Sequence, residues 1–597
     1  MTDETPTRGM HALALIGVGF LISIAATVYV TPPASGYEVE IYASYPIQFW
    51  ISVVGAIFVG QLLVLQSVGS RGDGGGRVFG IAFSLVGILT LLLLPYIRGY
   101  PVYGRADVLT HIGLVSDLGV YGIEGNIYPP MHILVASLAG ATGVEPIALI
   151  NLLSVVFTLL LVGSMYFLVT QLFSNRRVVT FALPFALFPV AGAAHVTSVP
   201  YGLSLLMVPF VVYLLFKEQR AQVMSLRVML LFAIVGVVLF HPLTAMFVSI
   251  ALVVYAAVKR IPAFETDHLG PTHAASFSLL VFGGWYLDNA GIIIRFRTVT
   301  TDFLNPDSGG SELASTAETV NRTGAELSDI LRIAVFQYGS EVILFGLATI
   351  FVAIVITLWI RSGEAPGVFA FAFGCTVVLF AGIGVLFLTN DFIVGFGRPL
   401  GFGELFAAPL AGAFWYVAWQ SKDAPAWRTA TTVAFSVVLL IVVSLTVVGM
   451  FTSPLTAETN QQTTQMELDG MEWFFEHRND DFLIEEFGIR QYRFDHALHG
   501  VEGESQMIRR SDTRPPDHFN YTTYDTLGES YADDRYLLLT RLGRVTYPAK
   551  FPDYRDQWRF TGDDFERLEY DRSVARVYDN GEFDIYRING SETPPPE

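Results

Sequence analysis

The sequence predicts an α-helical polytopic membrane protein with a C-terminal soluble α/β domain, and three observations carry that prediction. Of 597 residues, 52% are hydrophobic and only 15% charged. That is too apolar for a soluble enzyme and long enough for a membrane domain plus a second unit. About thirteen apolar segments are long enough, or nearly so, to cross roughly 30 Å of hydrocarbon. Charge is also segregated: from position 452 onward 16 Arg/Lys stand against 30 Asp/Glu, whereas the first 451 residues hold 20 and 24. The expected division is a multi-pass domain over 1–451, with an acidic loop at 98–130, followed by an acidic extracellular α/β domain over 452–597.

The apolar segments lie near 12–30, 47–66, 78–97, 146–173, 178–195, 199–216, 228–240, 243–258, 273–293, 338–360, 367–388, 404–420 and 429–451. The seventh is short and meets the eighth at His241-Pro242, as a tight hairpin or a broken helix. The first lacks a basic leader and a clear small-x-small cleavage site, so it is expected to stay as an anchor. With the N-terminus cytoplasmic, the short internal connections all carry Arg or Lys, including Arg71, Arg77, Arg176, Arg177, Lys217, Arg220, Arg227, Lys259, Arg260, Arg361, Lys422 and Arg428. Connections at 31–46, 196–198 and near 241 carry none, as positive-inside bias requires. An odd number of crossings puts the tail outside the cell membrane. The sequons at Asn321, Asn520 and Asn589 fall on the same side.

The tail reads as mixed α and β. Residues 463–478 have the pattern of a capped amphipathic helix, and RYLLLT (535–540) that of a buried strand. Alternating runs on both sides of Asn580-Gly581 predict a hairpin. The single Cys375 excludes an intramolecular disulfide. Four Lys against 32 Arg, with many carboxylates, suit a high-salt habitat. The acidic balance of −18 argues against nucleic acid as a partner.

The chemistry concentrates in GRADVLTHIGLVSDLGVYGIEGNIYPPMHILVA, residues 104–136, where Asp107, His111, Asp117 and Glu124 gather beside an apolar run. Asp107 and His111 share a helical face, with Asp117 roughly 80° to one side. Ile112, Val115 and Leu118 turn away. Tyr100, Tyr103, Tyr121 and Tyr128 ring the loop as interfacial anchors, with sugar stacking as the second reading. An interfacial helix turning a polar face to water accounts for Asp107 alone. Four titratable groups in 18 residues of so uncharged a chain point instead to function. A carboxylate there can act as general base on a substrate hydroxyl. A lipid-phosphate-linked sugar as co-substrate would keep its tail among the helices and its phosphate at the interface. Arg105, Arg295, Arg297 and Arg398 are the candidate phosphate and donor contacts.

This layout resembles the GT-C superfamily of polyprenyl-phosphate-sugar-dependent membrane glycosyltransferases. The likeness rests on GRADVLTH with Asp107 at the acidic position, on YPPMH (128–132), on the helix 463–478 and on ARVYDNGEFDIYRI near the end. With the salt-adapted composition it resembles a haloarchaeal dolichyl-phosphate-mannose mannosyltransferase of the N-glycosylation route. The resemblance implies a GT-C-like fold and one inverting displacement. Asp107 would take the acceptor proton, Asp117 would be the second acidic residue, and His111 would orient Asp107 or touch phosphate. Glu124, Tyr128 and His132 would contact the acceptor, a glycan or glycoprotein. Three apolar segments precede the acidic loop where many relatives have one. The Trp-Trp-Asp signature of single-subunit oligosaccharyltransferases is absent, which disfavours transfer of a whole glycan.

No cofactor is expected: there is no P-loop and no Rossmann fingerprint after a strand. Asp107, His111 and Asp117 do not have the spacing of a closed metal site, so a divalent cation is the minor reading. His132, His195 and His241 sit at segment ends, and Asp391 and Glu404 flank Arg398 as pairing candidates. The rival functions are a transporter or lipid-linked-sugar flippase and a non-catalytic surface scaffold. Charge collected at one face, with no internal repeat, disfavours the first.

Overall fold

The computed structural model describes residues 5–66, 74–187, 192–264, 273–287, 289, 291–294, 297–298, 326–389, 395–502 and 514–591. The expectations placed on Arg71, Arg295, Asn321 and Asp391 lie outside the described residues.

Three helices open the chain: α1 (Thr5–Val30), α2 (Ile47–Gln66) and α3 (Gly74–Ile97). A two-residue strand, β1 (Val102–Tyr103), precedes the loop helices α4 (Asp107–Tyr121) and α5 (Pro129–Thr142). Then follow α6 (Pro146–Leu172), α7 (Arg176–Ala186), the single turn α8 (Ala193–Val196), α9 (Pro200–Ala221), α10 (Met224–Phe240), α11 (Pro242–Lys259) and α12 (Ala274–Tyr286). The bundle ends with α13 (Leu327–Ser362), α14 (Val368–Thr389), α15 (Gly397–Gln420) and α16 (Pro425–Val448).

Among the described residues, ten helices are long and apolar enough to cross a membrane, which makes this a multi-pass membrane protein. Thirteen segments were expected; those at 178–195, 228–240 and 273–293 form shorter helices of 11, 17 and 13 residues. The causes are local. Pro184 lies inside α7, where proline removes a helix hydrogen bond. The α10–α11 junction is a hairpin: His241 takes extended backbone geometry and its Nδ1 accepts from Leu243 N at 3.2 Å. The far ends of both helices return to the end of α9, through Arg227–Glu218 at 2.8 Å and Lys259 Nζ donating to Gln219 Oε1 at 2.8 Å. That end of the bundle is basic, with Lys422 over Trp427 and Arg177 and Arg428 over Trp419.

The opposite end carries the tail. Here β2 (Gln462–Thr463) leads into α17 (Gln465–His477), capped as expected by a reciprocal Thr464–Glu467 box. The sheet has the order β3 (Leu483–Phe487), β4 (Arg535–Thr540), β6 (Phe583–Ile588), β5 (Val574–Asp579). β4 is buried at all six positions, parallel to β3 and antiparallel to β6, which explains its continuous apolar character. The β5–β6 hairpin turns at Asn580-Gly581, with Asn580 Oδ1 accepting from Phe583 N at 3.0 Å. Helices α18 (Gln491–His499), α19 (Arg541–Lys550) and α20 (Gly562–Tyr570) complete the domain.

Tail and bundle are joined by backbone and charge. β1 pairs antiparallel with β2, Val102 opposite Thr463. Residues 31–46 add Glu38 N to Gln462 Oε1 at 2.7 Å, Asn460 N to Val39 O at 3.0 Å, and Tyr37 N to Glu582 Oε2 at 3.0 Å. Glu38 is itself held by Arg98 and by the Tyr100 hydroxyl. A soluble domain fixed this firmly shapes whatever opens between it and the helices.

Candidate functional site

A cavity of about 810 Å³ opens at the tail end of the bundle. Its walls come from α4, the 192–201 segment, His241, α13, α15 and residues 449–461, with Arg493 of the tail. The connections expected on one side of the membrane thus converge on one space.

Asp107 is the first residue of α4, where a carboxylate complements the helix N-terminus. Its side chain is 61% exposed, and its Oδ1 lies 2.8 Å from Arg493 Nη2. Arg493 Nη1 also donates to Thr110 Oγ1 at 2.6 Å. Asp107 therefore faces the cavity with one oxygen oriented by a guanidinium from the other domain.

His111 lies one turn on and is buried. Its Nδ1 is 3.0 Å from His132 Nε2, and His132 Nδ1 is 2.8 Å from Asn126 Nδ2. Burial, with Arg493 and His241 nearby, lowers the His111 pKa to about 3; burial and His111 do the same to His132. Both rings are neutral at pH 7, and the pair forms a support beneath the site. His132 does not line the cavity.

The wall continues through Tyr128, stacked on His241 with centroids 5.5 Å apart, and Tyr201, edge-on to His241 at 5.3 Å. The Arg398 guanidinium lies over the Tyr201 ring at 4.9 Å. Arg398 sits in the first turn of α15, and no carboxylate among the described residues forms an ion pair with it. Deeper along α13 and α15, Glu341 and Glu404 line the same space.

Other candidates are placed elsewhere. Arg105 reaches the cavity, but its guanidinium is taken up by Glu467 at 2.6 and 2.7 Å and by the carbonyls of Gln462 and Gly488. Asp117 is buried away from the cavity, its Oδ2 accepting from Val501 N at 2.7 Å and Glu502 N at 3.1 Å. Glu124 and Arg297 are exposed and outside the walls. Arg295 lies outside the described residues. Arg493, Thr110, Glu341 and Tyr201 were missed; for Arg493, nothing in the local pattern of QYRFDHALHG connects it with position 107. Among the described residues no group of three His, Cys, Asp or Glu side chains is arranged to hold a metal ion.

No protein-family model and no curated protein matches the chain. Among solved structures it is similar to an Archaeoglobus fulgidus oligosaccharyltransferase tethered to an acceptor peptide with an NVT sequon, at 9% identity and TM-score 0.44, covering 85% of this chain and 71% of that one. It is also similar to ArnT from Cupriavidus metallidurans bound to undecaprenyl phosphate, at 11% identity and TM-score 0.44, covering 87% and 99%. ArnT in the apo state matches at TM-score 0.42. Likeness at this level lends nothing to a functional assignment, which rests on the residues of this chain.

Proposed function

We propose that the protein is a membrane glycosyltransferase that moves one sugar from a polyprenyl phosphate to an acceptor hydroxyl. The observation that carries this reading is one cavity with Asp107 on its rim and Arg398, free of any carboxylate among the described residues, on its wall. A transporter calls for related halves around a mid-membrane site, and a scaffold needs no such opposition of base and cation.

In this reading the lipid tail lies among the helices and the phosphate meets Arg398, whose planar fork suits phosphate oxygens. Asp107 takes the proton of the acceptor hydroxyl as its oxygen attacks the anomeric carbon. The bond from that carbon to the phosphate oxygen breaks, and polyprenyl phosphate leaves with the bonding pair. One displacement inverts the anomeric configuration. Arg493 positions the Asp107 carboxylate, and the Tyr128–His241–Tyr201 wall offers aromatic faces to a sugar.

The sequence resemblance makes the donor dolichyl phosphate carrying one sugar, mannose, and the acceptor a glycan of the protein N-glycosylation route on the outer face of the cell membrane. Glycan mass analysis of a deletion strain tests this. Glycans short by one hexose, restored by wild type but not by Asp107→Asn or Arg398→Ala, support the reading. Unchanged glycans in the deletion strain refute it.

A further inference from the structure

The floor of the cavity holds two carboxyl groups that the transfer step does not use. Glu404 is 2% exposed, lines the cavity, and its Oε2 has no hydrogen-bond partner among the described residues. Glu341 is 9% exposed, lines the same space, receives a hydrogen bond from Ser340 Oγ at 2.9 Å, and lies within Coulombic reach of Glu404. A carboxyl group left unsatisfied in an apolar bundle is costly.

Their position relative to Arg398 gives them a use. Arg398, Gly401 and Glu404 lie three residues apart along one face of α15 and all line the cavity. From Arg398 to Glu404 is six residues, about 9 Å of helix rise. Between them Gly401 has no side chain, and a Cβ there would meet only Leu205, at 3.9 Å. Gln337, one turn before Glu341 on α13, adds an amide to the same space, and Tyr338 packs against Phe396 beside it. Two carboxyl groups, an amide and aromatic surface at this distance from a phosphate-binding cation form a set suited to the hydroxyls of one sugar ring. Hydroxyl groups donate to carboxylates in short, charge-assisted bonds.

We propose that Glu341 and Glu404 form the subsite that holds the hydroxyls of the transferred sugar and restricts the donor to non-acidic sugars. A uronic acid would add its carboxylate to a pair of carboxyl groups that together hold at most one negative charge in so low a dielectric, where like charges repel strongly. This inference rests on the donor reading above.

The test is equilibrium binding to the full-length protein in nanodiscs, with three ligands: bare polyprenyl phosphate, polyprenyl-phosphate hexose and polyprenyl-phosphate hexuronic acid. Wild type is expected to prefer the hexose over the hexuronic acid by about tenfold or more. Glu404→Leu should lose that preference and weaken hexose-conjugate binding about tenfold, leaving bare phosphate within about twofold. Its melting temperature should not fall, since an unsatisfied buried carboxyl group has been removed; Glu341→Gln should erode the same preference. Unchanged sugar preference in Glu404→Leu, with bare phosphate still bound, overturns the subsite alone. Equal loss of all three ligands with a lowered melting temperature assigns Glu404 a structural role and also overturns it. A preference that vanishes on chelation transfers the carboxylates to a metal ion, with the same consequence. Failure of wild type to bind bare polyprenyl phosphate overturns the donor reading and the subsite with it.

Discussion

Arg493 Nη2 lies 2.8 Å from Asp107 Oδ1, joining the first residue of a loop helix to a helix of the C-terminal domain across 386 positions of sequence. The contact makes the tail part of the cavity wall rather than a cover over it. The same guanidinium anchors Thr110, one turn further along α4.

If Arg493 positions the carboxylate, its removal should affect turnover more than donor affinity. Arg493→Met is expected to lower kcat by about 10- to 100-fold with KM for the lipid donor little changed, a smaller loss than the ~10²–10⁴-fold expected for removing a general base. Steady-state kinetics of transfer provide the check. A pure KM effect would instead place Arg493 on the substrate.

The loop helix and the tail helix touch at a glycine. A Cβ added at Gly113 would overlap the carbonyl oxygen of His496 in α18. Gly113→Val should therefore push α18 away from α4, at a cost of about 1–3 kcal/mol, and carry Arg493 with it. The expected signs are lower activity and faster limited proteolysis near 491–500. Gly119→Val, at a position with open space around it, serves as the control and should show neither.

Arg105 is a strut between domains. Its pair with Glu467 is nearly inaccessible, at 10% and 2% side-chain exposure, and breaking a buried pair from one side costs about 3–5 kcal/mol. Arg105→Met should lower the thermal midpoint and loosen the tail, while a folded fraction retains affinity for polyprenyl phosphate. A stable variant with abolished phosphate binding would restore Arg105 to the donor site.

The His111–His132 pair sets a pH dependence. Both imidazoles are held at about 3, mainly by burial, against a usual value of 6.5. Between those limits the unfolded chain binds protons that the folded pair refuses, so stability is full above about 6.5 and is lost as pH falls toward 3. Thermal melts from pH 7.5 to 4.5 should show this decline, and His111→Gln should flatten it. An identical slope in that variant would locate the titrating groups elsewhere.

Much of the fold was legible because its signals are local. Apolar runs gave the ten long helices, Thr464 and Glu467 announced a helix start, and Asn580-Gly581 a hairpin. The apolar runs at 178–195 and 273–293 end in helices of 11 and 13 residues, because hydropathy does not register how a residue such as Pro184 shortens a helix. The site was only half legible. Asp107, His111, Tyr128 and Arg398 line the cavity, each flagged by polarity or aromaticity in apolar context. Asp117 looked like a second reacting carboxylate but instead ties down the turn at Gly500, whose φ of +93° and contact with that carboxylate suit only glycine. Arg493 and the Glu341–Glu404 pair depend on how distant segments pack, which no periodicity reveals.

The central claim is that Asp107 takes the acceptor proton while Arg398 holds the donor phosphate, and transfer by the purified protein from a radiolabelled polyprenyl-phosphate hexose tests it most directly. Asp107→Asn should bind the donor as wild type does and transfer at least about 10²-fold more slowly. Wild-type rates of transfer from that variant would contradict the account.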